Sequence, residues 1–190
     1  MNKNIEFYVS KYSNFLDKKT CESVLKKIKN LNWQEHKFYD AKKQKYNNVS
    51  GEQELESLFS IQNIPIINKV SKKLWFAIQK YITSLDFKWY QGWQGYSSLK
   101  FNKYSLNKKM AEHCDHITDL FDGNRKGIPT LTIIGLLNDN FKGGKFIMFK
   151  NKEIKLKQGD LLIFPSNFVY PHRVDPVIKG TRYSFVSWVW

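Results

Sequence analysis

The texture of this chain changes once, near residue 87, and that change limits the folds open to it. Before it, apolar residues recur at helical spacing. Val24, Leu25, Ile28 and Leu31 mark an amphipathic helix over Lys18 to Leu31, with the Asp17 carboxylate placed to cap it. A second helical pattern runs from about Ile66 to Leu85 through Val70, Leu74, Ala77, Ile78 and Ile82. From Phe87 onward, short apolar or alternating runs are broken by Gly, Pro and Asn, which is how a stack of β-strands reads. The runs are Ser97 to Tyr104, Thr130 to Leu137, Lys145 to Phe149, Glu153 to Lys157, Asp160 to Phe164, Tyr170 to Val174 and Arg182 to Trp190. Asn138-Asp139-Asn140, Gly143-Gly144, Gln158-Gly159 and Lys179-Gly180 supply the turns.

Many short strands after two helices predict an α+β chain: a double-stranded β-helix (jelly roll) with supporting N-terminal helices. The expected division is helical support over about 1–86 and a jelly-roll core over about 87–190, within one domain spanning 1–190. At 190 residues and 42% hydrophobic, the chain has enough apolar material for one sizeable core. Its longest apolar stretches fall far short of the roughly 20 residues that cross a bilayer, so no transmembrane helix is expected. The start, Met1-Asn2-Lys3-Asn4-Ile5-Glu6, lacks the apolar core of a secretory signal. Cys21 and Cys114 are too few for a disulfide framework, and a cytoplasmic protein with free thiols is the expectation.

Thirty-one Lys and Arg against 17 Asp and Glu leave a net charge of +14. A field of that sign attracts acidic proteins, a ribosomal surface or nucleic acid, although solvated helix faces account for much of it.

Chemistry concentrates in Glu112-His113-Cys114-Asp115-His116, which holds two of the four histidines beside a carboxylate. If the segment is extended, His113 and Asp115 project to the same side and Cys114 points away. His172 lies 57 residues after Asp115, beyond several strands, and a barrel can bring it to the same mouth. Two imidazoles and one carboxylate hold one face of an octahedral ion and leave three positions open, as in non-haem Fe(II) oxygenases. Ten residues beyond His172, Arg182 opens the last strand with a guanidinium able to clamp a carboxylate through two hydrogen bonds. Arg182, Ser184, Val186 and Trp188 share one strand face, so the Trp188 indole either lines the metal pocket or packs in the core.

Through Tyr104, His113-Cys114-Asp115, Leu137-Asn138 with Gly143-Gly144, Gly159-Asp160, Pro171-His172-Arg173-Val174 and Gly180-Thr181-Arg182-Tyr183, the chain resembles prolyl-4-hydroxylase-like 2-oxoglutarate oxygenases. The resemblance covers about Leu99 to Trp190 and is nearest the hypoxia-factor prolyl hydroxylases and their bacterial and phage relatives. It implies that His113, Asp115 and His172 bind Fe(II), and that Arg182 pairs with the distal carboxylate of 2-oxoglutarate. Tyr104 would assist Arg182, its alternative being a plain core tyrosine. A second tyrosine of the hypoxia-factor subgroup is replaced around Gly135. The implied reaction consumes O2 and 2-oxoglutarate, with ascorbate as an accessory reductant, releases succinate and CO2, and hydroxylates proline in a peptide or protein. Phage kinship would set it in a host cytoplasm.

The aromatic run Phe87 to Tyr96 is a candidate lip for the peptide, with a hairpin packed on the core as its alternative, and the polar segment from Lys42 to Gly51 a candidate closing loop. His36 and His116 are read as non-ligands, and the Gly143-Gly144 pair as structural. Two rivals remain: a nucleic-acid oxidative demethylase, which usually carries a second arginine where this chain has Trp188, and a non-catalytic metal-binding jelly-roll module.

Overall fold

Caps and spacing lay down the helical part. Asp17 caps α1 (Lys18–Ile28), its carboxylate accepting the Thr20 N–H at 2.7 Å and the Thr20 hydroxyl at 3.0 Å. Cys21, Val24, Leu25 and Ile28 form its buried stripe, and the helix stops short of Leu31. α2 (Pro65–Leu85) begins on a proline, which lacks only an N–H that the first turn leaves unbonded anyway. It ends at Asp86 in the left-handed region, φ 50°, and buries Ile67, Val70, Leu74, Ala77, Ile78 and Tyr81.

A computed structural model describes residues 4–36, 38–40, 45–47, 54–59, 61, 63–88, 90, 93–115 and 129–190. Among them, the strands before α2 are β1 (Ser10–Tyr12), β2 (Gln34–Glu35), β3 (Phe38–Asp40), β4 (Lys45–Asn47) and β5 (Glu56–Leu58). After α2 come β6 (Lys100–Tyr104), β7 (Met110–His113), β8 (Leu131–Leu136), β9 (Lys142–Gly143) and β10 (Phe146–Met148). The chain closes with β11 (Lys152–Glu153), β12 (Leu161–Pro165), β13 (His172–Val174), β14 (Val177–Lys179) and β15 (Arg182–Val189).

A seven-stranded sheet runs in the order β1-β12-β8-β15-β6-β5-β2, and a four-stranded sheet in the order β11-β10-β13-β7. The pairs β14-β9 and β3-β4 complete a mostly-sheet antiparallel fold with two helices. Period-2 alternation divides the large sheet cleanly. Leu131, Ile133, Leu161, Ile163 and Phe185 pack with α1 and α2, while Ile134, Leu162, Phe164 and Val186 pack with Phe146, Met148 and Val174 of the small sheet. The helices therefore cover one face of the large sheet, and the small sheet faces the other.

The region before residue 87 is not purely helical, contrary to expectation. β1 extends one edge of the large sheet, while β5 and β2 extend the other. These strands are two or three residues long, too short for alternation to show. No described helix is long and apolar enough to cross a membrane.

Gly159 welds the N-terminal segment to this frame. Its φ is +87°, the Leu16 N–H donates to its carbonyl at 3.0 Å, and a Cβ there would stand 2.1 Å from the Leu16 carbonyl oxygen. Gly159→Ala is expected to cost about 1–3 kcal/mol through backbone strain and that clash. A lower urea midpoint with an unchanged slope would register it.

Candidate metal centre

Backbone register brings the two distant histidines together. β7 and β13 pair antiparallel with His113 directly opposite His172, and the ring centroids lie 4.4 Å apart. Asp115 projects back between them, with Oδ1 3.4 Å from His113 Nε2 and Oδ2 3.8 Å from His172 Nε2. One ligand atom from each residue lies within 4.8 Å of the others.

Hydrogen bonds on the far side of each ring decide what faces inward. His113 Nδ1 is 2.8 Å from the Ala111 carbonyl oxygen, and His172 Nδ1 is 3.1 Å from that of Tyr170. A carbonyl oxygen only accepts, so each Nδ1 carries a proton, and either ring in its neutral form aims its Nε2 lone pair inward. Two such lone pairs and a carboxylate repel one another unless a cation sits among them. Their nitrogen and oxygen donors match a divalent transition metal.

Electrostatics point the same way. Burial pushes the Asp115 pKa up, but the charges of His172 and His113 and the hydrogen bonds from His113 and Thr132 hold it well below the usual carboxylate range. Burial brings His172 down to about 4, so its Nε2 stays unprotonated at neutral pH. Burial also depresses His113, yet the hydrogen bond and charge of Asp115 outweigh it and raise its pKa. The Thr132 hydroxyl donates to Asp115 Oδ2 at 2.7 Å and lies 2.8 Å from Ser166 Oγ, which must then donate to Thr132. Phe146 and Phe164 wall His172, at ring separations of 5.4 and 5.1 Å.

Arg182 opens β15 opposite Tyr104 of β6. It is 2% exposed, its Nη1 donates to Ser184 Oγ at 2.9 Å, and its guanidinium lies 5.0 Å from the centre of the Tyr104 ring. Among the described residues no carboxylate pairs with it. Burial, the main influence on both, lowers the Arg182 pKa and pushes Tyr104 up to about 12, which keeps the Tyr104 hydroxyl protonated. Along the same face of β15, Val186 and Trp188 pack in the apolar cluster of Phe146 and Phe164. Trp188 Nε1 is buried there without an acceptor among the described residues.

Some residues stand elsewhere than the sequence indicated. Trp93 stacks on Trp75 at 4.4 Å, and the Tyr96 hydroxyl donates to the Ser71 carbonyl at 2.9 Å, so both pack against α2 rather than forming a lip at the metal centre. Trp89, Gln91 and Gly92 lie outside the described residues, as do His116 and all of the 42–51 segment except 45–47. His36 Nδ1 is 3.3 Å from Lys100 Nζ. Sequence reasoning passed over Thr132, Ser166 and Lys100. Thr132 had a signal, as the one hydroxyl inside the apolar run Leu131 to Leu137, and Lys100 another, in phase with Tyr104 on one strand.

Comparisons with known proteins agree with this geometry. The model of the 2OG-Fe(II) oxygenase superfamily matches residues 99–190. A PKHD-type hydroxylase of Idiomarina loihiensis is 33% identical over 94 residues, covering 48% of this chain and 41% of that protein. One of Aliarcobacter butzleri is 36% identical over 97 residues, covering 47% and 41%. The chain thus matches about two fifths of the length of these curated relatives.

Among solved structures, a prolyl hydroxylase from Trichoplax adhaerens, in complex with a hypoxia inducible factor peptide fragment, aligns with a TM-score of 0.73 at 19% identity, covering 96% of this chain and 83% of that one. The viral collagen prolyl hydroxylase of Paramecium Bursaria Chlorella virus-1, as its 2OG complex, aligns at 0.68 and 16% identity, with 96% and 94% covered. At such identities the likeness is one of fold. Residues 99–190, which hold the two histidines, Asp115 and Arg182, are the part of this chain that is similar to the 2OG-Fe(II) oxygenase superfamily.

Proposed function

We propose that this chain is an Fe(II)- and 2-oxoglutarate-dependent dioxygenase that hydroxylates a peptide or protein at proline. Arg182 carries the reading. A guanidinium 2% exposed with no carboxylate partner among the described residues is costly to leave unpaired, and a ligand carboxylate relieves it. Arg182 opens β15 in phase with Val186 and Trp188, on the face of the large sheet turned toward the small sheet that carries the metal centre, where a dicarboxylate would bridge the two.

In this reading His113, Asp115 and His172 hold Fe(II), Arg182 clamps the distal carboxylate of 2-oxoglutarate, and the protonated Tyr104 hydroxyl donates beside it. The iron, when bound, supplies activation of O2 for oxidation of an unactivated C–H bond. The chain's own part is positional. Thr132 and Ser166 hold Asp115 in place, the Ala111 and Tyr170 carbonyls hold the imidazole tautomers, and Phe146, Phe164 and Trp188 keep water from the site.

Two facing antiparallel sheets with the metal centre on the small one support a double-stranded β-helix acting as one domain over 1–190. The prolyl hydroxylases that share the fold support proline in a peptide as the target. Cys21 and Cys114 are free thiols, which suits a cytoplasmic setting.

With Fe(II), ascorbate and 2-oxoglutarate, the protein is expected to make succinate and to add one oxygen to prolyl peptides of a host lysate, read by mass spectrometry. His113→Ala should do neither, and equal hydroxyproline in both samples would end the proposal. Arg182→Met is expected to cost about 2–4 kcal/mol of co-substrate binding, raising the KM for 2-oxoglutarate roughly 30- to 1,000-fold. An unchanged KM would remove Arg182 from the site. Thr132→Val should weaken metal affinity by about 10–100-fold by freeing Asp115, with Thr132→Ser restoring most of it. Metal titration of the two variants checks this.

A further inference from the structure

Lys100 is a buried charged side chain of the interior face that the mechanism leaves unused. It lies on β6 in phase with Asn102 and Tyr104, opposite Val186 of β15, and is 7% exposed. A lysine that deep normally has a carboxylate beside it. Here its only hydrogen-bond partner among the described residues is His36 Nδ1 at 3.3 Å, which must accept because an ammonium only donates. Two N–H groups are left without an acceptor among the described residues.

The ammonium instead faces rings, 4.8 Å from the centroid of Phe59 and 5.9 Å from that of Trp188. Phe59 is 58% exposed, so the Lys100 ammonium lies beside a solvent-facing ring. Trp188 pairs with Thr132, the residue that holds Asp115, which puts Lys100 at the level of the metal centre. Asp115 and Lys100 feel each other electrostatically, and so do Lys100 and His113. Burial holds the Lys100 pKa down to about 8, which still leaves it charged at neutral pH. Beside it, Trp188 Nε1 is a second buried donor with no acceptor among the described residues. Two unsatisfied donors, one of them cationic, between a solvent-facing ring and the metal centre make a subsite for a carboxylate.

The co-substrate is the less suitable source. Arg182 and Tyr104 stand four residues along β6 from Lys100, about 13 Å of extended strand. A five-carbon dicarboxylate held by Arg182 and the metal has no free carboxylate left to reach it. The net charge of +14 also draws acidic partners toward this surface.

We propose that Lys100 selects the substrate: its ammonium, between the Phe59 and Trp188 rings, takes the carboxylate of an acidic peptide, so that the proline presented to the metal centre is flanked by Asp or Glu. This rests on the hydroxylase reading. The test uses a defined pool of prolyl peptides, identical except for Asp, Glu, Asn or Gln on either side of the proline. Wild type, Lys100→Met, Lys100→Gln and the surface control Lys72→Met are compared. Retention on immobilised protein loaded with Mn(II) and 2-oxoglutarate reads binding without turnover, and gain of one oxygen with Fe(II) reads catalysis.

Wild type and Lys72→Met should favour acidic over amide peptides by about tenfold, as a charge-assisted hydrogen bond implies, and both Lys100 variants should lose that preference. A preference that is absent in wild type, persists in the Lys100 variants or falls equally in Lys72→Met overturns the proposal. A rise in the KM for 2-oxoglutarate shared by every peptide overturns it too, since the carboxylate is then the co-substrate's. Lys100-dependent retention with no oxygen gained sinks the hydroxylase reading and keeps the subsite. Oxygen gained without acidic preference does the reverse, and neither retention nor oxygen removes both.

Discussion

A buried carboxylate organises this molecule. Asp115 is 5% exposed, and leaving it charged there is tolerable only because two imidazoles and the Thr132 hydroxyl surround it. Each of those partners is fixed in turn by backbone. His113 and His172 stand opposite each other in the β7-β13 ladder, and their Nδ1 protons are tied to carbonyls two residues back. Thr132 sits in the middle of the large sheet, directly opposite Trp188, and is itself held by Ser166. The two sheets therefore meet at this carboxylate.

The large sheet keeps its two faces separate. On β15, Tyr183, Phe185 and Val189 pack with the helices, whereas Val186 and Trp188 turn toward the small sheet together with Arg182 and Ser184. The helical side is a plain apolar core whose work is support. The other side carries the charges, Arg182 at one end and Lys100 at the other, both buried and both without a carboxylate among the described residues. Buried cations without a carboxylate partner are costly to a fold, and a bound carboxylate relieves that cost.

Much of this was legible in the sequence. The two helices followed from 3.6-residue spacing, and all of the longer strands from alternation and turn residues, because β8, β12 and β15 bury one or both faces. The short strands before α2 carry too few residues for any periodicity, which is why that region read as helical alone. At the site, His113, Asp115, His172 and Arg182 stood out as chemically unusual residues at tell-tale spacing. Thr132 and Ser166 did not, since a hydroxyl gains meaning only when the fold sets it against a carboxylate. Trp93 and Tyr96 misled for the same reason: composition shows aromatic surface, and only packing shows that α2 covers it.

The central claim is that these three side chains hold a metal facing a dicarboxylate on Arg182. Anomalous diffraction at the manganese edge, from crystals grown with Mn(II) and 2-oxoglutarate, addresses it most directly. One peak is expected at bonding distance from His113 Nε2, His172 Nε2 and a carboxylate oxygen of Asp115, with the dicarboxylate reaching from that ion to the Arg182 guanidinium. A peak elsewhere, no peak, or a dicarboxylate bound away from Arg182 would contradict it.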